Sequence, residues 1–134
     1  MDKLILVATD GTEHSKTAVS YAVHLAKQMG AELVVALVNV VLGGMRGPVL
    51  YSHDSDEAEK IVHLAAEDAR RAGIKLVREV VIISREADSG IVQYADEKKV
   101  DHIIVGTGDK SGVSRLMLGS VAADIARRAH CTVT

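Results

Sequence analysis

The segment from residue 103 to residue 121 combines the residues best suited to binding an anion. The apolar run 103–105 predicts a buried strand that stops at Gly106, and Gly119-Ser120 opens a segment with helical spacing that continues at Val121. Backbone N–H groups of a glycine-rich loop and of a helix N-terminus point outward and attract negative charge. This order of strand, loop and helix therefore predicts an anion-binding site.

The loop between Gly106 and Gly119 does not match the common nucleotide-binding motifs. It carries small and charged residues, namely Thr107, Gly108, Asp109, Lys110, Ser111, Gly112 and Arg115. A P-loop needs G-x-x-x-x-G-K-[ST], but Asp109 stands where a glycine should precede Lys110. The dinucleotide fingerprint G-x-G-x-x-G lacks its last glycine here and follows the wrong strand. The nucleophile elbow G-x-S-x-G is absent.

The elements that position this loop follow from the hydrophobic pattern of the whole chain. Continuous apolar runs predict five strands, at residues 4–8, 33–38, 76–83, 103–105 and 131–134. Helical spacing of apolar residues predicts four helices, at residues 15–29, 54–72, 89–99 and 121–129. Gly30 and Gly73 are placed to end the first two helices. Residues 42–52 contain three glycines and Pro48, and they predict a long, mobile loop.

Strands that alternate with helices predict an α/β fold with an open parallel sheet covered by helices on both faces. In such sheets ligands bind outside the carboxyl ends of the strands, where the strand order reverses. The first strand ends in Thr9-Asp10-Gly11-Thr12 and the fourth in Gly106, and both ends are rich in small polar residues. The sequence therefore predicts a crevice between these two strands. Asp10 is either a ligand-binding residue or an ordinary turn residue.

Composition narrows the possible functions. The chain has 134 residues, which predicts a single domain over residues 1–134. Its net charge is −2, and it contains three Tyr with no Phe or Trp. It therefore lacks the basic field and the aromatic platforms that nucleic-acid binding uses. The start of the chain is typical of a first strand, no apolar run approaches the ~20 residues of a membrane span, and we expect a cytoplasmic protein.

Candidate metal ligands and reactive side chains are few. The six histidines form no H-E-x-x-H pair, and the single cysteine, Cys131, is typical of a small buried apolar residue. His53 and three nearby carboxylates could attract a cation, although an acidic helix start explains the same pattern. The third strand carries no aspartate at its end, which argues against a phospho-acceptor receiver domain.

These motifs together resemble the universal stress protein (UspA-like) family. The ATP-binding branch of that family carries G-x2-G-x9-G-[ST] after its fourth strand, and Gly106 and Gly119-Ser120 match this spacing. The segments VATDGT, GAEL, DHIIVG and SRLMLGSVA are also similar to the family pattern. The resemblance covers the whole chain and implies the strand order 3-2-1-4-5. It further implies a homodimer formed through the last strand.

The resemblance also implies ATP as the ligand, with magnesium as a possible companion, and a role for each matching residue. Asp10, beside Thr9, would contact the ribose, while Ala8 and the backbone near Val38 would line the adenine site. The loop from Gly106 to Gly112 would wrap the phosphates. Ser120 and the N-terminus of the fourth helix would complete the anion site.

One departure from the family motif keeps other functions open. Asp109 replaces the second glycine, and its carboxylate would repel phosphate by roughly 4 kcal/mol at ~4 Å before screening. Lys110, Arg115 or a divalent ion could offset this repulsion. The alternatives are a scaffold of the same fold that binds partner proteins and no nucleotide, or a slow nucleotide hydrolase that uses Asp10 or Asp109. We expect a regulatory protein in the stress response, not an enzyme.

Overall fold

The computed structural model describes residues 3–106 and 120–134. The strands are β1 Leu4–Ala8, β2 Glu32–Gly43, β3 Val49–Tyr51, β4 Val77–Ser84, β5 His102–Ile104 and β6 Thr132–Val133. The helices are α1 Glu13–Met29, α2 Ser55–Arg71, α3 Ala87–Lys98 and α4 Ser120–Arg128. Every predicted strand and helix is present. None of the described helices is long and apolar enough to cross a membrane.

The five parallel strands of the sheet have the predicted order, and the antiparallel β3 is a sixth strand that the sequence did not predict. β1 pairs in parallel with β2 and β5, β2 pairs in parallel with β4, and β5 pairs in parallel with β6. The five parallel strands therefore lie in the order β4-β2-β1-β5-β6, which confirms the order 3-2-1-4-5 of the predicted strands. The chain first builds outward from β1 and then returns to its other side at β5. The strand order thus reverses between β1 and β5, as predicted.

Alternation of side chains along the buried strands produces two separate cores. Ile5 and Val7 of β1 pack with α1 and α2 on one face, together with Val62 of α2. Leu4 and Leu6 pack on the opposite face against α3 and α4. Because successive side chains of a strand point to opposite faces, a strand covered by helices on both sides is apolar throughout. This explains the unbroken apolar run that identified β1 in the sequence.

Local capping decides where α1 and α2 begin. The Thr12 hydroxyl accepts a hydrogen bond from the Ser15 amide at 3.3 Å, so α1 starts two residues earlier than predicted. The Asp54 carboxylate caps α2 in the same manner, accepting from the Asp56 amide at 3.2 Å. The acidic residues after His53 therefore form a capped helix start. In the described part of the chain no three metal-ligating side chains converge on one point.

The prediction of a mobile loop at residues 42–52 is wrong. β2 continues to Gly43 and then turns back, so that β3 pairs with it in an antiparallel ladder. Gly43 and Gly44 have φ angles of 71° and 92°, a region that favours glycine, and they make the turn possible. The glycines that predicted a loop are thus the turn of a β-hairpin. Residues 40–52 are called the hairpin segment below.

Buried Asn39 attaches the hairpin segment to the sheet. Its side-chain amide donates to the His53 carbonyl at 3.0 Å, and its Oδ1 accepts from the His53 amide at 3.0 Å. The Ser52 hydroxyl accepts from the Val40 amide at 2.9 Å, and Arg85 donates to the Gly43 carbonyl at 2.9 Å. These bonds depend on residues distant in sequence, which is why the local pattern did not predict them.

Candidate functional site

A cleft of about 300 Å³ opens at the carboxyl ends of the strands, where the strand order reverses. Its lining comes from the ends of β1 and β5, from the middle of β2, from the first turn of α1, and from α3 and α4. It is lined by Ala8, Thr9, Asp10, Thr12, His14, Ser15, Val38, Ala87, Ile91, Val105, Gly106, Ser120, Val121, Ala122 and Ile125. The position is the one that the sequence predicted from the two polar strand ends.

The structure brings together every predicted site residue that it describes. These seven residues come from four different segments and all line the cleft: Ala8, Thr9, Asp10, Val38, Gly106, Ser120 and Val121. The other predicted site residues lie outside the described residues: Thr107, Gly108, Asp109, Lys110, Gly112, Arg115 and Gly119. Their assignment therefore stays a prediction from the sequence motif.

The turn between β1 and α1 is held by a chain of hydrogen bonds. The buried Thr9 hydroxyl donates to the Ser15 hydroxyl at 3.0 Å, and Ser15 in turn donates to the Thr12 carbonyl at 2.9 Å. The Gly11 amide donates to the Thr9 hydroxyl at 3.2 Å. Gly11 itself has a φ of 83°, which an L side chain rarely adopts. The backbone that carries Asp10 is consequently fixed on both sides.

Asp10 presents an ionised carboxylate at the cleft. The Thr12 hydroxyl donates to its Oδ1 at 2.6 Å, and the Thr12 amide donates to the same oxygen at 3.0 Å. Partial burial by itself raises the pKa of Asp10, but the hydrogen bonds from Thr12, from Ser15 and from the Asp10 backbone together outweigh it, and the pKa lies below its usual value. At neutral pH this carboxylate can only accept hydrogen bonds, so it is suited to ligand hydroxyl or N–H groups.

Gly106 allows β5 to pass close to the start of α1. A Cβ atom at this position would lie 3.1 Å from the carbonyl oxygen of His14. A larger residue would therefore push the strand end away from the helix and alter the cleft between them. A glycine is needed at position 106 because the strand end and the helix approach each other closely. The backbone angle is not the reason, since the φ of Gly106 lies outside the left-handed region. This adds a packing reason to the motif that singled out Gly106 in the sequence.

The floor and one wall of the cleft are apolar. Ala8 at the end of β1, Val38 within β2 and Val105 just after β5 lie on the face that packs against α3 and α4. Ile91 of α3 and Ile125 of α4 extend this apolar surface and are buried. Asp10 and Ser120 provide polar groups beside it. An apolar surface with a few polar groups at its rim is the usual composition of a small-molecule site.

Several residues of the cleft were missed by the sequence analysis. Thr12 carries a detectable signal, because threonine immediately before a helical pattern is a favoured N-cap residue. Ala87 and Ile91 carry none, since α3 reaches the cleft only through packing against β4 and α4. Gly90, which lies between them in the sequence, permits this packing, since its Cβ would lie 2.9 Å from the Ser84 Cβ.

Comparison with known proteins decides the family. The sequence model of the family described as "Universal stress protein family" matches residues 1–134, which is the whole chain. The chain belongs to the universal stress protein family. One relative in this family is the universal stress protein YxiE of Bacillus subtilis, which is 34% identical over 142 residues, covering 96% of this chain and 95% of YxiE.

Solved structures of the family share the fold. A universal stress protein crystallised in complex with cAMP has a TM-score of 0.76 and 28% identity, covering 98% of this chain and 94% of its own. The universal stress protein from Archaeoglobus fulgidus in complex with dAMP has a TM-score of 0.74 and 26% identity, with the same two coverages. Some structural relatives in this family therefore bind adenine nucleotides.

Proposed function

We propose that this universal stress protein binds an adenine nucleotide in the cleft between β1 and β5, with ATP as the expected ligand. One observation carries the proposal: seven predicted site residues, from four separate segments, line a single cleft at the reversal of the strand order. Relatives of 28% and 26% identity that bind cAMP and dAMP support an adenine nucleotide as the ligand class. The cleft volume lies at the lower end of small-molecule sites, about 300–1,000 Å³.

The chemistry of the lining matches the parts of a nucleotide. Ala8 and Val38 offer an apolar surface for a flat base, and the main chain of β2 can satisfy its polar edge. The ionised Asp10 accepts hydrogen bonds from ribose hydroxyls. Ser120 lies at the start of α4, where the partial positive charge of the helix N-terminus favours phosphate. Magnesium is proposed only as a companion of the phosphates.

A direct test is to identify and measure the ligand. Mass spectrometry of small molecules released by heating the purified protein should detect an adenine nucleotide. Titration calorimetry with ATP, cAMP and AMP, each with and without magnesium, should then give heats that GTP does not reproduce. A protein that releases no nucleotide and gives no heat with any adenine nucleotide would contradict the proposal.

The main alternative is a scaffold of the same fold that acts through protein partners alone. Asp109 favours it, since a carboxylate stands where the family motif has its second glycine. Asp109→Gly separates the two functions. If the wild type binds nucleotide and the variant binds it equally or more tightly, the nucleotide function holds. If binding appears only in the variant, the native protein is the scaffold.

Three further predictions accompany this function. We propose that the protein has no enzymatic turnover, and prolonged incubation with ATP should show hydrolysis no faster than buffer alone. Hydrolysis that is present in the wild type and stops in the Asp10→Asn variant would instead show that the protein is a slow nucleotide hydrolase.

We also propose a regulatory role in the cytoplasm and a homodimer formed through β6. A cross-link between position 132 of one copy and position 132 of a second copy would support the dimer through β6.

A further inference from the structure

The hairpin segment exposes an unusual concentration of apolar side chains. The exposed fractions are 49% for Leu42, 90% for Met45, 48% for Val49, 58% for Leu50 and 52% for Tyr51. Among residues 40–52 the sequence has a single charged side chain, that of Arg46. Exposed apolar patches of this kind mark surfaces that bind another molecule.

The outer edge of β3 also has backbone groups available for pairing. The Ser52 amide donates to the Val40 carbonyl at 2.9 Å, which fixes the alternation of the antiparallel ladder. Leu50 consequently bonds toward β2, whereas the N–H and C=O groups of Val49 and Tyr51 point away from it. Within residues 3–106 and 120–134 these outward groups form no hydrogen bond. An exposed edge strand of this kind is a template for a further strand.

We propose that this edge binds β3 of a second copy of the chain, in an antiparallel ladder centred on Leu50. In this register Val49 lies opposite Tyr51 of the second copy, and the two residues exchange both backbone hydrogen bonds. Tyr51 and the second copy's Val49 repeat the pair, so four outward groups of each copy are satisfied. Leu50 lies directly opposite Leu50 of the second copy. The contact is self-complementary, as a two-fold interface must be.

The charges at the two ends of β3 favour a second copy as the occupant. Arg46 precedes β3, whereas the acidic start of α2, with Asp54, Asp56 and Glu57, follows it. An antiparallel arrangement therefore brings the positive end of one copy beside the negative end of the other. A lipid surface fits less well, because the hairpin segment carries one cation and anionic membranes are recognised by clusters of Lys and Arg.

The contact lies apart from the expected homodimer through β6. β6 pairs with β5 at one end of the sheet, whereas β3 pairs with the last residues of β2, and β2 lies on the other side of β1 from β5. The two contacts use different strands and can therefore form in the same assembly, where the hairpin contact would join one dimer to the next. The hairpin contact does not depend on the proposed nucleotide function. A ladder of three residues per copy is far shorter than the ~20–30 residues a side of a standard interface, which predicts reversible association that depends on concentration.

The experiment uses charge at the centre of the proposed ladder. Leu50→Lys places two like charges opposite each other, and Leu50→Glu does the same with the opposite sign. In sedimentation equilibrium over a range of concentrations, either variant should lose the association step that the hairpin contact provides, so that its limiting mass is at most half that of the wild type. An equal mixture of the two variants should regain that step, because Lys then faces Glu. Circular dichroism and thermal unfolding of each variant show that the fold is retained.

Leu64→Lys is the matched control, since Leu64 is 53% exposed on α2, outside the hairpin segment. It should keep the wild-type mass at every concentration. The proposal is overturned if Leu50→Lys associates as the wild type does. It is also overturned if the mixture of Leu50→Lys and Leu50→Glu stays dissociated, since another surface or another occupant would then explain the loss. Wild-type protein that stays at its smallest mass but binds anionic vesicles would overturn it as well.

Discussion

β1 and β2 are neighbouring parallel strands, yet the chain leaves their carboxyl ends in two different ways. After β1 it makes a short polar turn in which hydroxyls and amides bond to one another around Asp10. The last residues of β2 instead extend outward and form, with β3, an exposed apolar hairpin that is attached through Asn39. The carboxyl ends of the strands thus carry a turn suited to a small polar ligand and a hairpin segment suited to a polypeptide surface.

The difference shows that polar residues at a strand end have two separate uses. In the β1–α1 turn, Thr12 directs its hydroxyl and its amide at Asp10, which stays available to a ligand in the cleft. At the hairpin segment, Asn39 forms its hydrogen bonds within the protein, and the side chains exposed to solvent are apolar. The following predictions test whether the two regions have these separate roles.

The largest expected effect is on nucleotide affinity. Asp10→Asn keeps the shape of the side chain but removes its charge, and a hydrogen bond to a charged group contributes about 1.5–3 kcal/mol. We therefore expect the dissociation constant of the adenine nucleotide to rise about 10- to 100-fold in calorimetry. Asp56→Asn is the control, because this exposed carboxylate at the start of α2 lies outside the cleft. Equal affinities in all three proteins would exclude Asp10 from the site.

The next effect concerns the attachment of the hairpin segment. Asn39→Ala leaves the half-buried His53 backbone groups without these partners, which costs about 1–3 kcal/mol of unfolding free energy. Urea unfolding should show this loss, and hydrogen exchange should show faster exchange at residues 40–52 than elsewhere. Gln28→Ala, an exposed change on α1, should alter neither measurement. Uniformly faster exchange along the chain would show that Asn39 supports the whole sheet instead.

The turn of the hairpin offers a matched pair of glycines. At Gly43 a Cβ atom would lie 2.6 Å from the Pro48 carbonyl oxygen and φ is 71°, whereas Gly47 has nothing within 4 Å. Gly43→Ala should therefore lower the unfolding free energy by about 1–3 kcal/mol, the usual range for a strained backbone position. Gly47→Ala should stay within about 0.5 kcal/mol of the wild type. Equal effects of both changes would mean that the turn is not under this constraint.

The smallest effect comes from the cap of α1 and depends on pH. Thr12→Ala removes the N-cap, worth about 1 kcal/mol, and one hydrogen bond to Asp10. Because Thr12 lowers the pKa of Asp10 in the folded state, this stabilisation is present above the unfolded pKa of about 3.9. It is lost as the pH falls through the lower folded pKa. The stability difference between wild type and Thr12→Ala should thus be larger at pH 7 than at pH 2.

Carboxyl NMR titration checks the same point directly, since the pKa of Asp10 should rise in Thr12→Ala. Thr17→Ala is the control, because Thr17 lies further along α1 and does not contact Asp10. An unchanged pKa of Asp10 in the Thr12 variant would show that other groups hold the carboxylate in its ionised form.

Much of the cleft could be predicted because its residues lie at strand ends. Asp10 and Gly106 follow unbroken apolar runs, and a parallel sheet brings the carboxyl ends of its strands to one edge. The contribution of α3 could not be predicted, because Ile91 reads in the sequence only as part of an apolar helix face. The hairpin was missed for a related reason. Glycine at positive φ serves both loops and hairpin turns, and only the pairing partner separates them.

The sequence by itself determined the parallel α/β fold, the family and the residues that meet at the first and fourth predicted strands. It could do so because apolar runs, helical spacing and glycine positions are local properties of the chain. Only the tertiary structure decided that Thr12 orients Asp10, that α3 and α4 complete the cleft, and that Asn39 holds an apolar hairpin at the edge of the sheet. Each of these depends on hydrogen bonds or packing that form when distant or differently folded segments meet.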